Sequence, residues 1–263
     1  MPSPPVDPGM VLLKKPEPAP GAVNNGEQLP SLFIYLLNVF AKAIISQFID
    51  EAGVSPRAAD PIGVAAVSVF ARLDNCWRGE SMIDILMAKF RAVCPVLWGS
   101  RGSEKTEEGR ARLGWKRSEG VWVTDQQHNT RMTGLGAGYA SIALRDFSKT
   151  RLKNPYPPPK YWMTVAAIVG TPPTEASSTH YIVLRALIEN FEQRFMMLYG
   201  SAGRAAIQIA VVDFPARAVA TNAAVTSLKV LGDKLTRDNG LRLRPAKPAP
   251  VAVGGGGFAA WGR

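Results

Sequence analysis

Four basic side chains stand where helical segments would carry them. Lys42 interrupts the otherwise apolar run Phe40-Ala-Lys-Ala-Ile-Ile, Lys89 and Arg91 lie at the end of the segment 81–93, and Arg204 follows Gly200. Cations so placed have two readings. They can complement the negative end of a helix macrodipole and snorkel their stems along apolar surface. They can instead converge on an anion, if the fold brings these helix ends together, because clustered ammonium and guanidinium groups make charge-assisted bonds to phosphate or carboxylate. The spacing alone leaves both open.

Other chemistry is thinly supplied. The two histidines, His128 in a polar stretch and His180 near a helix start, would need Asp, Glu, Ser or Cys partners to act as acid, base or nucleophile activator, and an ordinary surface or capping role is expected for each. Cys76 and Cys94 have no Cys or His nearby at metal-ligand spacing, which offers no zinc site and suits a reducing compartment. The run Gly134-Leu-Gly-Ala-Gly138 looks like a phosphate loop, but no strand precedes it and no Lys-Ser/Thr follows. Its expected use is close helix packing. No residue set asks for an enzyme.

The elements that must position these residues are helical. From Leu32 to Ala52 apolar residues recur at three and four, with Pro30-Ser31 as a start signal and Gly53 as a stop. Ser55-Pro56 opens a second segment that continues through Ile62 to Leu73, and a third helix is expected over 81–93, closed by Pro95. Residues 99–130 lose all period and read as a long ordered insertion anchored by Trp115 and Trp122. Helices are then expected over 130–146, 161–169, 174–199 with Gly200 just beyond, 202–220 and 222–237. The Pro-rich segment 154–160 joins two of them. No stretch alternates as a strand does. The fold class is therefore all-α, a HEAT-repeat-like stack of antiparallel helices.

Composition sets the outer limits. Residues 1–30 and 241–263 are rich in Pro, Gly, Ala and basic residues and are expected to remain a disordered N-terminus and a flexible basic tail, leaving 31–240 to fold as one domain. A net charge of +10, from 31 basic and 21 acidic residues, favours acidic partners such as nucleic acid, inositol phosphates, anionic lipid or an acidic protein face. The run from Leu32 to Ile49 is broken at helical spacing by Asn38, Lys42, Ser46 and Gln47, so it reads as amphipathic and no integral membrane segment is expected.

The phrases Phe40-Ala-Lys-Ala-Ile-Ile-Ser-Gln47, Val54-Ser-Pro-Arg-Ala-Ala-Asp-Pro-Ile-Gly63, Cys94-Pro95, Leu113-Gly-Trp-Lys-Arg117, Arg131-Met-Thr-Gly134 and Leu198-Tyr-Gly200 carry a resemblance. In their order and approximate spacing the chain, over residues 33–237, resembles the C-terminal domain of the GLFG-lethal family of nuclear-pore mRNA export factors. Fuller members of that family carry a coiled-coil region upstream, which residues 1–30 do not supply.

The resemblance implies a HEAT-like domain at the cytoplasmic face of the nuclear pore complex, between nucleus and cytoplasm. It implies binding to the two lobes of a DEAD-box RNA helicase, stimulation of its RNA-dependent ATP hydrolysis and RNA release, and no hydrolysis by the domain itself. It further implies inositol hexakisphosphate as a bridging cofactor, and nucleoporins and translation initiation and termination factors as partners. Lys42 matches a pocket lysine of the family, and Lys89 a position that is basic in some members. Arg91 and Arg204 are displaced from the basic positions they would replace, Ser46 stands where the pattern has a histidine, and Ala92-Val93 stand where it has Lys-Lys. Each charge-assisted bond contributes on the order of 1.5–3 kcal/mol, so a weakened polyphosphate site is expected. The rival reading is a helical scaffold that gathers translation or pore-associated partners without activating them. Direct RNA binding ranks last, because much of the charge lies in the tail and no RNA-recognition motif occurs.

Overall fold

A computed structural model of the chain describes residues 3–238 and 241–244. It is an all-α, HEAT-like stack. The helices are α1 (Ser31–Gln47), α2 (Ala59–Phe70), α3 (Asp84–Val93), α4 (Glu107–Arg112), α5 (Asp125–Ala143), α6 (Pro158–Val169), α7 (Ser178–Ile188), α8 (Glu192–Gln208), α9 (Phe214–Ala216) and α10 (Ala223–Asp238). Single π turns continue α1 through Phe48–Ala52 and α8 through Ile209–Asp213. Three two-residue antiparallel ladders punctuate the stack: β1 (Pro5–Val6) with β2 (Leu29–Pro30), β3 (Cys76–Trp77) with β4 (Glu80–Ser81), and β5 (Arg117–Ser118) with β6 (Val121–Trp122).

Local chemistry explains where the helix boundaries differ from expectation. The helix expected from Ser81 starts at Asp84, because Ser81 pairs with Cys76 in the β3–β4 ladder. The helix expected from Thr130 starts at Asp125, where Thr124 and Gln127 form a reciprocal capping box. The long helix expected over 174–199 is two helices. The chain leaves α7 at Glu189 (ψ 122°) and turns at Asn190 (φ 72°), a residue type that tolerates the left-handed region. Gly200, expected just beyond a helix, does interrupt the helical backbone (φ 55°, ψ −128°), so α8 is two helical stretches that meet at a kink there.

Helix α5 forms the centre of the stack and packs on α7, on α2 and on the π turn after α1. Its glycines allow this. A Cβ at Gly134 would stand 1.9 Å from the Phe48 carbonyl oxygen, one at Gly138 would stand 2.5 Å from the Phe48 ring, and one at Gly136 would stand 2.8 Å from Ala186 Cβ. The close-packing reading of the Gly-Leu-Gly-Ala-Gly run holds. The insertion is anchored to the same helix by a ladder of rings and cations. Trp115 stacks on His128 at 4.0 Å and 11°, and Arg110 lies 4.8 Å from the Trp115 ring centre and 6.0 Å from that of Trp122. Arg117 covers Trp122 at 4.4 Å.

Neither histidine is a surface group. His128 is buried with Nε2 2.9 Å from the Thr179 hydroxyl, which itself donates to Glu104. His180 is buried and, as expected, caps: its Nδ1 accepts from the Ser177 amide at the start of α7. Burial is the leading cause that holds both rings neutral, His128 down to about 3 and His180 down to about 4.

The described part of the N-terminus, 3–30, does not stand apart as composition suggests. It lies on the domain as a strap. Trp77 Nε1 donates to the Gly26 carbonyl at 2.8 Å, the Asn24 amide donates to the carbonyls of Asp74 and Cys76, Arg78 donates to the Pro16 carbonyl, and the Leu13 amide donates to the Asp84 carboxylate. Leu29 is buried in the core. A segment too poor in apolar residues to build its own core is here satisfied by a neighbour's polar groups. At the other end Leu241 is buried and the Gln208 side-chain amide clamps the backbone of Arg244, accepting from its N–H and donating to its carbonyl. The rest of the basic, Gly-rich tail, 245–263, lies outside the described residues.

Two helical stretches, Ser31–Ala52 and Glu192–Ala216, are long and apolar enough by composition to cross a membrane, with 28% of each apolar window buried in the fold. In the first, the apolar residues divide between a face turned to the core (Leu37, Ala41, Ile44, Ile45) and a second, outward face.

Candidate functional site

The outward face of α1 and the adjoining flank of α3 carry the sequence-derived cations. Leu32, Tyr35, Leu36 and Val39 recur at three and four and are between 42% and 60% exposed, so one side of the helix presents large apolar side chains to solvent. Lys42 continues this face one turn further and is itself exposed. Helix α3 packs on α1 through the side that bears Ile85, Leu86, Met87 and Phe90, which leaves Lys89 half-buried at the seam. The Lys89 ammonium is held below its ordinary pKa, first by burial and then by the charge of Lys42. Two like charges therefore sit within electrostatic reach, and neither forms an ion pair among the described residues. An anion placed between them would relieve both the repulsion and the poor solvation of Lys89.

The other two cations do not join them. Arg91 is exposed two residues beyond Lys89, about 200° around the helix, and so belongs to another flank. Arg204 is exposed on the half of α8 beyond the Gly200 break. The first half of α8 places Phe195 and Tyr199 against Trp162 of α6, and α8 makes no substantial contact with α1 or α3. The Ser46 hydroxyl, one turn after Lys42, donates to the Asp50 carboxylate at 2.9 Å, which brings negative charge where a further cation would have helped an anion. Ala92 and Val93 add no charge at the end of α3.

Beside the lysine pair, a groove of about 430 Å³ runs between Val6 and Val11 of the strap, Ile34 and Tyr35 of α1, and Ile85 of α3, with Lys89 at its edge. Sequence reasoning missed this groove. Its near wall is the strap, which composition sets aside, and its far wall depends on the α1–α3 contact. The spacing of Leu32, Tyr35, Leu36 and Val39 was legible as a helical stripe, but which of two apolar faces would turn outward was not.

The arrangement offers exposed apolar surface beside two cations, which suits binding. The buried histidines are neutral and packed, burial pushes the Cys94 thiol up to about 12, and among the described residues no group of three His, Cys, Asp or Glu side chains could hold a metal ion.

Residues 11–211 match the family described as GLE1-like protein. The chain is 55% identical over 238 residues to the mRNA export factor GLE1 of Chaetomium thermophilum, covering 90% of this chain and 45% of that protein. It is 27% identical over 171 residues to the mRNA export factor GLE1 of Saccharomyces cerevisiae, covering 64% of this chain and 31% of that relative. The chain thus spans less than half the length of these relatives. Among solved structures it resembles a chain of a complex described as a variant of the S. cerevisiae Dbp5 C-terminal domain bound to Gle1 and IP6. The TM-score is 0.69 with 24% identity, covering 81% of this chain and 72% of that one. A second such complex gives 0.68 at the same identity and coverage. These likenesses show the fold.

Proposed function

We propose, from the premise that this chain belongs to the GLE1-like family, that it is the helicase-engaging part of an mRNA export factor. It would bind a DEAD-box RNA-dependent ATPase and stimulate its turnover, promoting RNA release at the cytoplasmic face of the nuclear pore. The observation that carries this reading is the α1 face: an exposed apolar stripe continuous with Lys42 and Lys89. Apolar area supplies non-directional affinity for a protein surface, and the lysine pair supplies a place for an anion at its edge.

The likeness to the Dbp5–Gle1–IP6 complexes motivates inositol hexakisphosphate as the bridging anion. Lys42 and Lys89 fit such a group, because neither has an ion-pair partner among the described residues and Lys89 is partly desolvated. Bound there, the polyphosphate would supply negative charge that basic groups of both proteins could meet. Ser46, engaged with Asp50, and the neutral Ala92 and Val93 leave the site with fewer cations than the family pattern, so weaker dependence on the polyphosphate is expected. Arg91 and Arg204 would contribute only long-range attraction.

Stimulation requires that the domain bind one arrangement of the ATPase lobes more tightly than the other; equal affinity would shift nothing. Docking through α1 alone, with no such difference, would make the chain a scaffold. Nucleoporins and translation initiation and termination factors would use other faces of the stack. The test is RNA-stimulated ATP turnover of the cognate DEAD-box protein with and without the chain, each with and without inositol hexakisphosphate. The Lys42→Glu/Lys89→Glu double variant should remove any polyphosphate-dependent part, and Tyr35→Glu/Leu36→Glu should remove stimulation altogether. Unchanged turnover with retained binding would establish the scaffold instead.

A further inference from the structure

At the far end of the stack from α1 in sequence, a cleft of about 870 Å³ opens between the π turn after α8, helix α10 and the clamped C-terminal segment. Its walls differ in kind. Val211, Val212 and Leu243 give it an apolar floor, and Lys229, Arg237 and Arg244 stand along it with Asp233 as the one carboxylate among the described lining residues. All four charged residues are exposed, and none has an ion-pair partner among the described residues. The net charge of the lining is therefore +2. The walls are held in place. A Cβ at Gly232 would lie 3.2 Å from the Val211 carbonyl, so α10 sits close against the π turn, and the Gln208 amide clamps the Arg244 backbone with bonds of 2.7 and 2.8 Å.

We infer that this cleft binds a short acidic peptide segment of another protein, one that interleaves carboxylates with apolar side chains. Its volume is within the range that encloses a few side chains. The unpaired cations select negative charge by complementarity. The floor then decides among anionic ligands. A polyphosphate would set strongly hydrated oxygens over valine and leucine, which costs solvation that nothing on the floor returns. Single-stranded RNA would want rings on which bases stack, and among the described residues none that lines the cleft is aromatic. Alternating acidic and apolar side chains satisfy both walls. This surface is separate from the α1 face, so it stands or falls independently of helicase binding.

The experiment is fluorescence anisotropy with the full chain and a labelled peptide of alternating Glu and Leu, with poly-Glu, oligouridine and inositol hexakisphosphate as competitors. Saturable binding is expected that weakens as salt is raised. Lys229→Glu/Arg237→Glu should weaken it by at least about tenfold, Val212→Ser should weaken it less, and Lys42→Glu should leave it unchanged. Thermal unfolding of each variant separates lost binding from lost fold. Amide exchange on the unaltered chain supplies a readout free of mutation, with peptide-induced protection expected on α10 and the π turn. Absence of saturable binding, equal binding of poly-Glu, displacement by oligouridine or inositol hexakisphosphate at comparable concentration, or protection confined to other helices would each overturn the assignment.

Discussion

The contact between α5 and the π turn after α1 can be tested by adding one methyl group at a time. Gly→Ala within a helix ordinarily stabilises by up to about 1 kcal/mol through propensity. At Gly138 the new Cβ would stand 2.5 Å from two Phe48 ring carbons, about 1 Å inside ordinary van der Waals contact. Phe48 is fully buried with its ring 5.8 Å from that of Phe90, so it has no free space into which to retreat. Overpacking of this kind costs about 1–3 kcal/mol, and Gly138→Ala should therefore destabilise by a net of about 1–2 kcal/mol. Phe48→Leu alone should cost a similar amount as a cavity. The double variant should recover most of the clash, giving a coupling of at least about 1 kcal/mol. Gly134→Ala supplies the contrast: its Cβ would meet backbone, the Phe48 carbonyl at 1.9 Å and the Gly53 amide at 2.7 Å, which no change of side chain at 48 can move. It should be the most damaging of the single substitutions and should add to Phe48→Leu without coupling. The assay is urea unfolding of the three single and two double variants, read from midpoints at constant slope. Additive Gly138→Ala and Phe48→Leu effects, or a neutral Gly134→Ala, would refute the packing account.

Three further outcomes follow from the charges and rings. His128 is near pKa 3 in the fold because of burial, whereas an unfolded histidine titrates near its ordinary value. The unfolded chain therefore takes up the proton first, and His128 contributes a loss of stability as pH drops below about 6.5, about 3 kcal/mol at pH 4, with His180 adding its own loss over the same range. His128→Gln should make the dependence of the urea midpoint on pH between these limits shallower, leaving the His180 part, and an unchanged slope would count against it. Asp60 accepts from Arg194 and is approached by Arg145, and the Arg194 hydrogen bond is the leading cause that depresses its carboxyl pKa. Its contribution should be present above the unfolded carboxyl value and disappear as pH falls through the lower folded one. Asp60→Asn should cost about 1 kcal/mol at pH 7, because the pair is partly exposed, and progressively less as pH falls below the ordinary carboxyl range, measured by thermal unfolding. Trp115→Ala should strip the ring from His128 and free Arg110, so limited proteolysis should cut within 99–124 several times faster while cleavage elsewhere stays unchanged.

What the sequence determined by itself was local and compositional. Three-and-four spacing, Pro and Gly punctuation and the absence of alternation required a helical stack, and glycines at 134, 136 and 138 required a close crossing. The family phrases were legible for the same reason, since each is a short run of fixed spacing. Tertiary structure decided which distant groups meet. Lys42 and Lys89 are 47 positions apart, and only the α1–α3 contact sets one charge against the other; Arg204, equally basic, is carried elsewhere by α8. The break at Asn190 could not be read from periodicity, because the apolar period continues across it while the backbone does not. The strap was misjudged for a related reason: composition reports whether a segment can bury itself, not whether a neighbouring hairpin offers it hydrogen-bond partners. Helix faces are chosen locally, but which face turns to the core, and which remains to meet a partner, depends on everything that packs around it.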